Sequence, residues 1–233
     1  MKHEIKSQLA KLLATEDLVV EHKKVETAQF NVQSRVLTLP MWENTTDDVI
    51  DMLVSHEVGH ALYTPNREWW KDYQMNPSIV NIVEDARIEK LMKRRYEGIT
   101  KTFYRGYTEL HQKDFFEVKQ KDISEMNLLD RINLEFKIGT HYNIPFSTEE
   151  MLYVNKVSLC ETFDEVLKVS KEIFDYVLGE LEKKKEEEKE METEQLDMNL
   201  SGNSEDGEGT PWDDWGDVDD DDGEDTDEAE ESP

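Results

Sequence analysis

The sequence predicts an α+β, mostly helical domain with a small antiparallel sheet ahead of its first long central helix, followed by a disordered acidic tail. Three observations predict this. Apolar residues recur at steps of three and four over most of residues 48–181, the spacing of a helix with one buried face. Residues 25–40 read instead as strand, turn and strand. The charge is also uneven. The chain has 233 residues, 27 Lys and Arg, 55 Asp and Glu, and a net charge of −28. Residues 201–233 hold 16 of the acids and no Lys or Arg. Residues 1–182 are therefore expected to form the domain, and 183–233 a charged helix extension and an extended, self-repelling tail.

Several classes drop out on composition. Binding to a nucleic-acid backbone needs clustered cations, which this charge opposes, so no nucleic-acid partner is expected. The unbroken apolar runs are only a few residues long, so no membrane span is expected. Met1–Lys6 lacks the apolar stretch of a secretory leader, and the single cysteine, Cys160, cannot form an intrachain disulfide; both point to a reducing, cytoplasmic setting. Cys160 reads as a small buried apolar residue, because nothing near it would activate a thiol.

Element by element, Ile5, Leu9, Leu12, Leu13 and Leu18 suit a short amphipathic helix over 5–20. Val25–Phe30 and Arg35–Leu39 read as two strands with a turn at 31–34, the second ending at Pro40. Asn44–Asp47 offers capping groups for a helix that runs from Asp48 to about Tyr63 and stops at Thr64-Pro65-Asn66. Trp69, Trp70 and Tyr73 mark an aromatic-anchored loop. Asn76-Pro77 places a capping amide before a first-turn proline, opening a helix that stops at Gly98. Residues 103–118 are rich in aromatics, and 125–138 read as helix. Ser147 with Glu150, and Thr162 with Glu165, are capping boxes opening helices over 148–159 and 163–181.

The chemistry concentrates in His56-Glu57-Val58-Gly59-His60. Two histidines four residues apart on a helix project from one face, so their ring nitrogens can meet at one zinc ion. Glu57 is displaced around the helix, where it can take a proton from water without binding the metal. With 6 His and 33 Glu in the chain, chance would give this pattern roughly 0.02 times. Catalytic zinc needs a third protein ligand and an open position. No third histidine follows at short spacing, since position 63 is Tyr and 66 is Asn. The next helix offers Glu84, bordering its apolar stripe, with Asp85 as the main competitor and Glu68 and Asp72 as loop alternatives. Asp85 or Asn81 could equally accept a histidine ring N–H and fix its tautomer.

The runs His56–Pro65 and Asn81–Glu89 together resemble the gluzincin branch of zinc metallopeptidases. More narrowly, they resemble metallopeptidases of tailed bacteriophages, related to the N-terminal region of cobalamin-chelatase-type proteins with a von Willebrand A-like domain. Phe103–Tyr107 and Asp130–Leu134 add to that likeness. The resemblance implies a zincin-like domain and a peptidase with Zn2+ held by His56, His60 and Glu84, with Glu57 as general base and protein or peptide as substrate. It also implies that the strand Arg35–Leu39 is the edge that pairs with an extended peptide. A phage-encoded protein of this kind would act in the host cytoplasm. One departure is Ile88, which stands where some gluzincins carry an Asp four residues after the ligand Glu; Asp85 would have to serve instead. A donor for the carbonyl oxygen is expected among Tyr104, Tyr107, His111 and His141, with Tyr107 the first choice. The competing expectation is a catalytically silent zinc-binding protein whose acidic tail recruits a partner, such as an AAA+ ATPase or a von Willebrand A-like protein.

Overall fold

The structure, a computed structural model, describes residues 2–200 apart from Asp17 and Asn44. The acidic segment 201–233, including Trp212 and Trp215, lies outside the described residues. The chain divides into two units, Met1–Lys185 and Glu186–Pro233, and the site lies wholly in the first. No helix among the described residues is long and apolar enough to cross a membrane.

The described residues form seven α-helices, two short 3-10 turns and a three-stranded sheet. The first helix, α1, spans Lys2–Ala14 and ends where Thr15 takes a left-handed φ of 58°. The predicted helix over 5–20 is therefore too long. Its last residues, led by the β-branched pair Val19-Val20, form strand β1 (Val19–Lys23), where branched side chains are favoured. Strands β2 (Gln29–Asn31) and β3 (Val36–Pro40) form the expected hairpin. Its turn is closed by the Asn31 carbonyl, which accepts from the Arg35 N–H at 2.8 Å, and by the Asn31 side chain, which accepts from the Ser34 N–H at 2.7 Å. Arg35 takes the left-handed conformation that such loops require.

Sheet order is β1-β3-β2, with β1 parallel and β2 antiparallel to β3. The sheet is thus mixed, not antiparallel throughout. The strand over Arg35–Leu39 is also not an edge. Val36–Pro40 is hydrogen-bonded to β1 on one side and to β2 on the other, so its backbone has no groups left for a peptide. Leu37 and Leu39 are fully buried, as a central strand requires.

Helix α2 spans Asp47–Tyr63 and α3 spans Pro77–Arg95. The Asn76 side chain caps α3 by accepting from the Ser78 N–H at 2.9 Å, as the Asn-Pro pair predicts. At the start of α2 the expected side-chain cap is absent, because the Thr46 hydroxyl donates to Glu109 instead. Helix α4 spans Ile99–Gln112, α5 Leu128–Ile138, α6 Thr148–Leu159 and α7 Phe163–Leu200. The capping box of Ser147 and Glu150 is formed. So is its counterpart, in which Thr162 N–H donates to Glu165 and Glu165 N–H to the Thr162 hydroxyl.

Two apolar clusters build the interior. One joins α1, the sheet, α2 and α4 around Leu37, Val49, Val54, Val58 and Phe103. The other joins α3, α5, α6 and α7 around Val83, Ile132, Leu167 and Ile173. Cys160 belongs to the second, buried, and burial pushes its thiol up to about 11, which suits a packing residue. Helices α2 and α3 meet where the clusters adjoin, and Gly59 sets their separation. A Cβ there would come within 2.9 Å of Ile88 Cδ1 and 3.1 Å of Met92 Cγ, closer than apolar atoms pack. Gly106 does the same for α4 against α2, where a Cβ would lie 2.8 Å from Met52.

Candidate metal centre

That close approach at Gly59 brings the inward face of α2 onto α3. His56 and His60 turn their Nε2 atoms toward one carboxylate oxygen, Asp85 Oδ1, at 3.4 and 3.2 Å. The three side chains offer ligand atoms that all lie close enough to share one ion. Ligands at 2.0–2.1 Å from a tetrahedral ion stand about 3.3 Å apart, and the two nitrogen–oxygen separations bracket that value.

The far ring nitrogens are also held. His56 Nδ1 lies 3.1 Å from Glu89 Oε1. Glu89 accepts as well from the Tyr107 hydroxyl and from Lys93 Nζ at 3.0 Å. His60 Nδ1 lies 2.9 Å from the Thr64 hydroxyl, which donates to Glu84 Oε1 at 2.5 Å. Since Glu89 can only accept, the hydrogen on His56 sits on Nδ1. Since Thr64 gives its proton to Glu84, its oxygen accepts from His60 Nδ1. Both Nε2 lone pairs are thereby free to face Asp85 whenever the rings are neutral, the arrangement found around metal-ligating histidines.

Glu84, the sequence's first choice as third ligand, is not in the cluster. It is buried and gripped by Arg87, whose Nε and Nη2 donate to its two oxygens at 2.7 and 2.6 Å. Arg87 also donates to the Tyr63 carbonyl at 2.9 Å. Glu84 is thus a fixed outer acceptor that orients His60 through Thr64, and Asp85, the competitor, faces the histidines. Among the loop alternatives, Glu68 pairs with Lys71 and Asp72 with Arg67.

The electrostatics follow from this packing. Burial alone would favour a neutral His56, but Asp85 and Glu89 outweigh it and hold the ring well above its ordinary value. Asp85 is held well below the carboxylate range: burial opposes ionisation, yet His56 and Lys137 overcome it. Glu89 is pulled down to about 2 in the same way, by His56, Lys93 and Tyr107 against burial. Glu57 moves the other way. It is buried, and desolvation raises it despite the histidines and Lys137. One carboxyl made basic beside others kept ionised is the division of labour that acid–base chemistry uses.

The cluster opens into a cavity of about 730 Å³, lined by His56, Glu57, His60, Asp85 and Lys137, by Ala28, Phe30 and Asn31 of the sheet edge, and by Trp69, Trp70, Phe115 and Phe116. That size suits a ligand or short peptide segment. Tyr107 also reaches the cavity wall, but its hydroxyl proton is committed to Glu89. Tyr104, His111 and His141 do not line it. They form a separate aromatic group, with the His111 and His141 rings stacked at 5.4 Å and Tyr104 on His141 at 5.7 Å. Two residues escaped sequence reasoning altogether. Glu89 lies one turn beyond Asp85, and its signal was spacing on a helix already under suspicion. Lys137 comes from α5, far along the chain, and nothing local marked it.

In comparisons with known proteins, no family model, no curated sequence and no solved structure gives a significant match to this chain.

Proposed function

We propose that this chain is a zinc-dependent peptidase in which His56, His60 and Asp85 hold the metal and Glu57 is the general base. The reading rests above all on the two Nε2 atoms converging on Asp85 Oδ1 at 3.4 and 3.2 Å, with Glu57 buried on the same cavity wall. It keeps the zincin-type likeness of the sequence and moves the carboxylate ligand by one residue, from Glu84 to Asp85.

Zinc bound there supplies Lewis acidity, lowering the pKa of water toward about 7 and polarising a carbonyl. The residues do the rest. Glu57, raised by burial, accepts a proton from the attacking water as its oxygen bonds to the scissile carbonyl carbon. The carboxyl then delivers that proton to the amide nitrogen as the C–N bond breaks, restoring Glu57; the new acid's remaining proton, the second from the water, passes to the departing amine, leaving a carboxylate and an ammonium. Glu89, Thr64 and Glu84 hold both imidazoles in the ligating tautomer throughout. The wall at Phe30 and Asn31 belongs to β2, which among the described residues has a strand neighbour on one side only. That strand, rather than β3, is the edge on which an extended peptide pairs. The aromatic wall favours substrates with large apolar side chains.

The test is bound metal and casein cleavage in wild type and Glu57→Gln. One zinc per chain in both, with cleavage in the wild type alone, is the expected result. Equal cleavage by the two proteins, or no stoichiometric zinc in either, overturns the proposal.

A further inference from the structure

Peptide hydrolysis puts negative charge on the carbonyl oxygen when water adds, and a fixed donor aimed at that oxygen is among the largest contributors to rate. Tyr107, the sequence's first choice, already spends its proton on a buried carboxylate. The cavity lining contains two cations, Lys137 and Arg67. Arg67 is tied at the rim to Asp164 and Asp72. Lys137 stands in the last turn of α5, mostly buried, with Nζ 3.2 Å from Asp85 Oδ2. It lines the same cavity as Glu57. The ammonium therefore lies beside the proposed ligand carboxylate, in the cavity that Glu57 also lines.

We propose that Lys137 stabilises the carbonyl oxygen as it becomes negative, an assignment that rests on the peptidase reading above. An ammonium carries three N–H donors. One is used on Asp85 Oδ2, the oxygen that the histidines do not face. That bond fixes the side chain at the cavity floor and leaves its other donors for the substrate. Lys93, on the far side of Glu89, is bound to that carboxylate and packed on the Phe103 ring at 4.6 Å, and among the described residues the cavity's only other Lys or Arg is Arg67. Lys137 exchanges no atoms with the substrate; its contribution is a fixed donor held where charge develops.

Zinc-loaded wild type, Lys137→Met, Lys137→Arg and Tyr107→Phe are compared in three measurements: casein cleavage, zinc affinity by chelator competition, and binding of N-phosphoryl-leucyl-phenylalanine. The phosphoryl group of that probe is a tetrahedral anion resembling the oxygen at its most negative. Lys137→Met is expected to lose about 10²- to 10³-fold in kcat and about 10- to 100-fold in probe affinity, with zinc affinity within about threefold of wild type. Lys137→Arg should recover part of both losses, and Tyr107→Phe should cost less than about tenfold. Undiminished probe binding and kcat in Lys137→Met overturn the assignment. So does a parallel loss of zinc, which makes Lys137 only a support for Asp85, or a larger loss in Tyr107→Phe. A wild type that cleaves nothing removes the peptidase reading, while the probe measurement still decides whether Lys137 holds an anion. Lys137→Gln is the substitute should Lys137→Met fail to fold.

Discussion

Gly59→Ala separates local preference from tertiary packing, because the two pull in opposite directions. Alanine is the better helix former by about 1 kcal/mol in a helix interior, so propensity alone predicts a more stable protein. Packing predicts the reverse. The added methyl would stand 2.9 Å from Ile88 Cδ1, 3.1 Å from Met92 Cγ and 3.3 Å from Ile88 Cβ, against a comfortable separation of about 3.5–4.0 Å. Ile88 and Met92 are both fully buried, so neither has open space to turn into, and α3 must retreat by about half an ångström or more. Overpacking of this kind costs about 1–3 kcal/mol, leaving a net loss of about 0–2 kcal/mol after the propensity gain. In a chain of this size that lowers Tm by up to about 8 °C. The larger effect is expected at the proposed zinc site. Asp85 is one turn before Ile88 on the same helix, so the retreat carries its carboxylate away from both histidines. Such sites tolerate only about 0.5 Å, and zinc affinity should fall by about tenfold or more. Thermal melting of the metal-free protein and chelator competition read the two effects. Gly179→Ala is the control, because a Cβ at Gly179 in α7 meets nothing within 4 Å; there the propensity gain should appear unopposed. A Gly59→Ala protein that melts higher and binds zinc as wild type does would refute the claim that this glycine sets the distance between the helices.

Neighbouring carboxylates on α3 should fail differently. Asp85→Asn should abolish stoichiometric zinc with little change in folding, whereas Glu84→Gln should weaken zinc about 10- to 100-fold and destabilise the fold by about 3 kcal/mol, since it strands the buried Arg87; chelator competition and urea melts distinguish them. Metal-free protein should lose stability on acidification over a definite range. Glu89 is lowered from 4.5 to about 2, so its contribution is fully present above 4.5 and disappears as pH falls toward 2; urea melts of wild type and Glu89→Gln across that range should converge at its acid end.

The parts of this protein legible in the sequence were those written locally. The capping amide of Asn76, the two capping boxes and the His56–His60 spacing each depend on residues within four positions of one another. They appear in the structure as the residues imply. The proposed third ligand shows where that legibility stops. Spacing located α3 and the Glu84-Asp85 pair, but the two residues point about 100° apart around the helix. Which of them faces α2 depends on the helix's rotation, set by Ile88 against Gly59 and by Arg87 capturing Glu84. Strand order was hidden for a similar reason. Val19-Val20 fell within the helix expected over 5–20, whose spacing ran on to Leu18, and the turn at Thr15 sends them into the sheet instead, where they convert β3 from an edge to a centre. Lys137 meets Asp85 across 52 positions, a pairing that no window of the sequence contains.

The meeting of α2 and α3 has one more consequence. The two helices draw mainly on different apolar clusters, and both contribute residues to the candidate metal centre. An ion seated between them would act as a rivet through two plates, so filling the site and locking the halves together would be one event. A chain freshly made, or stripped of its ion, would then be weakest along that single seam, and the availability of the ion would govern how long such a chain survives.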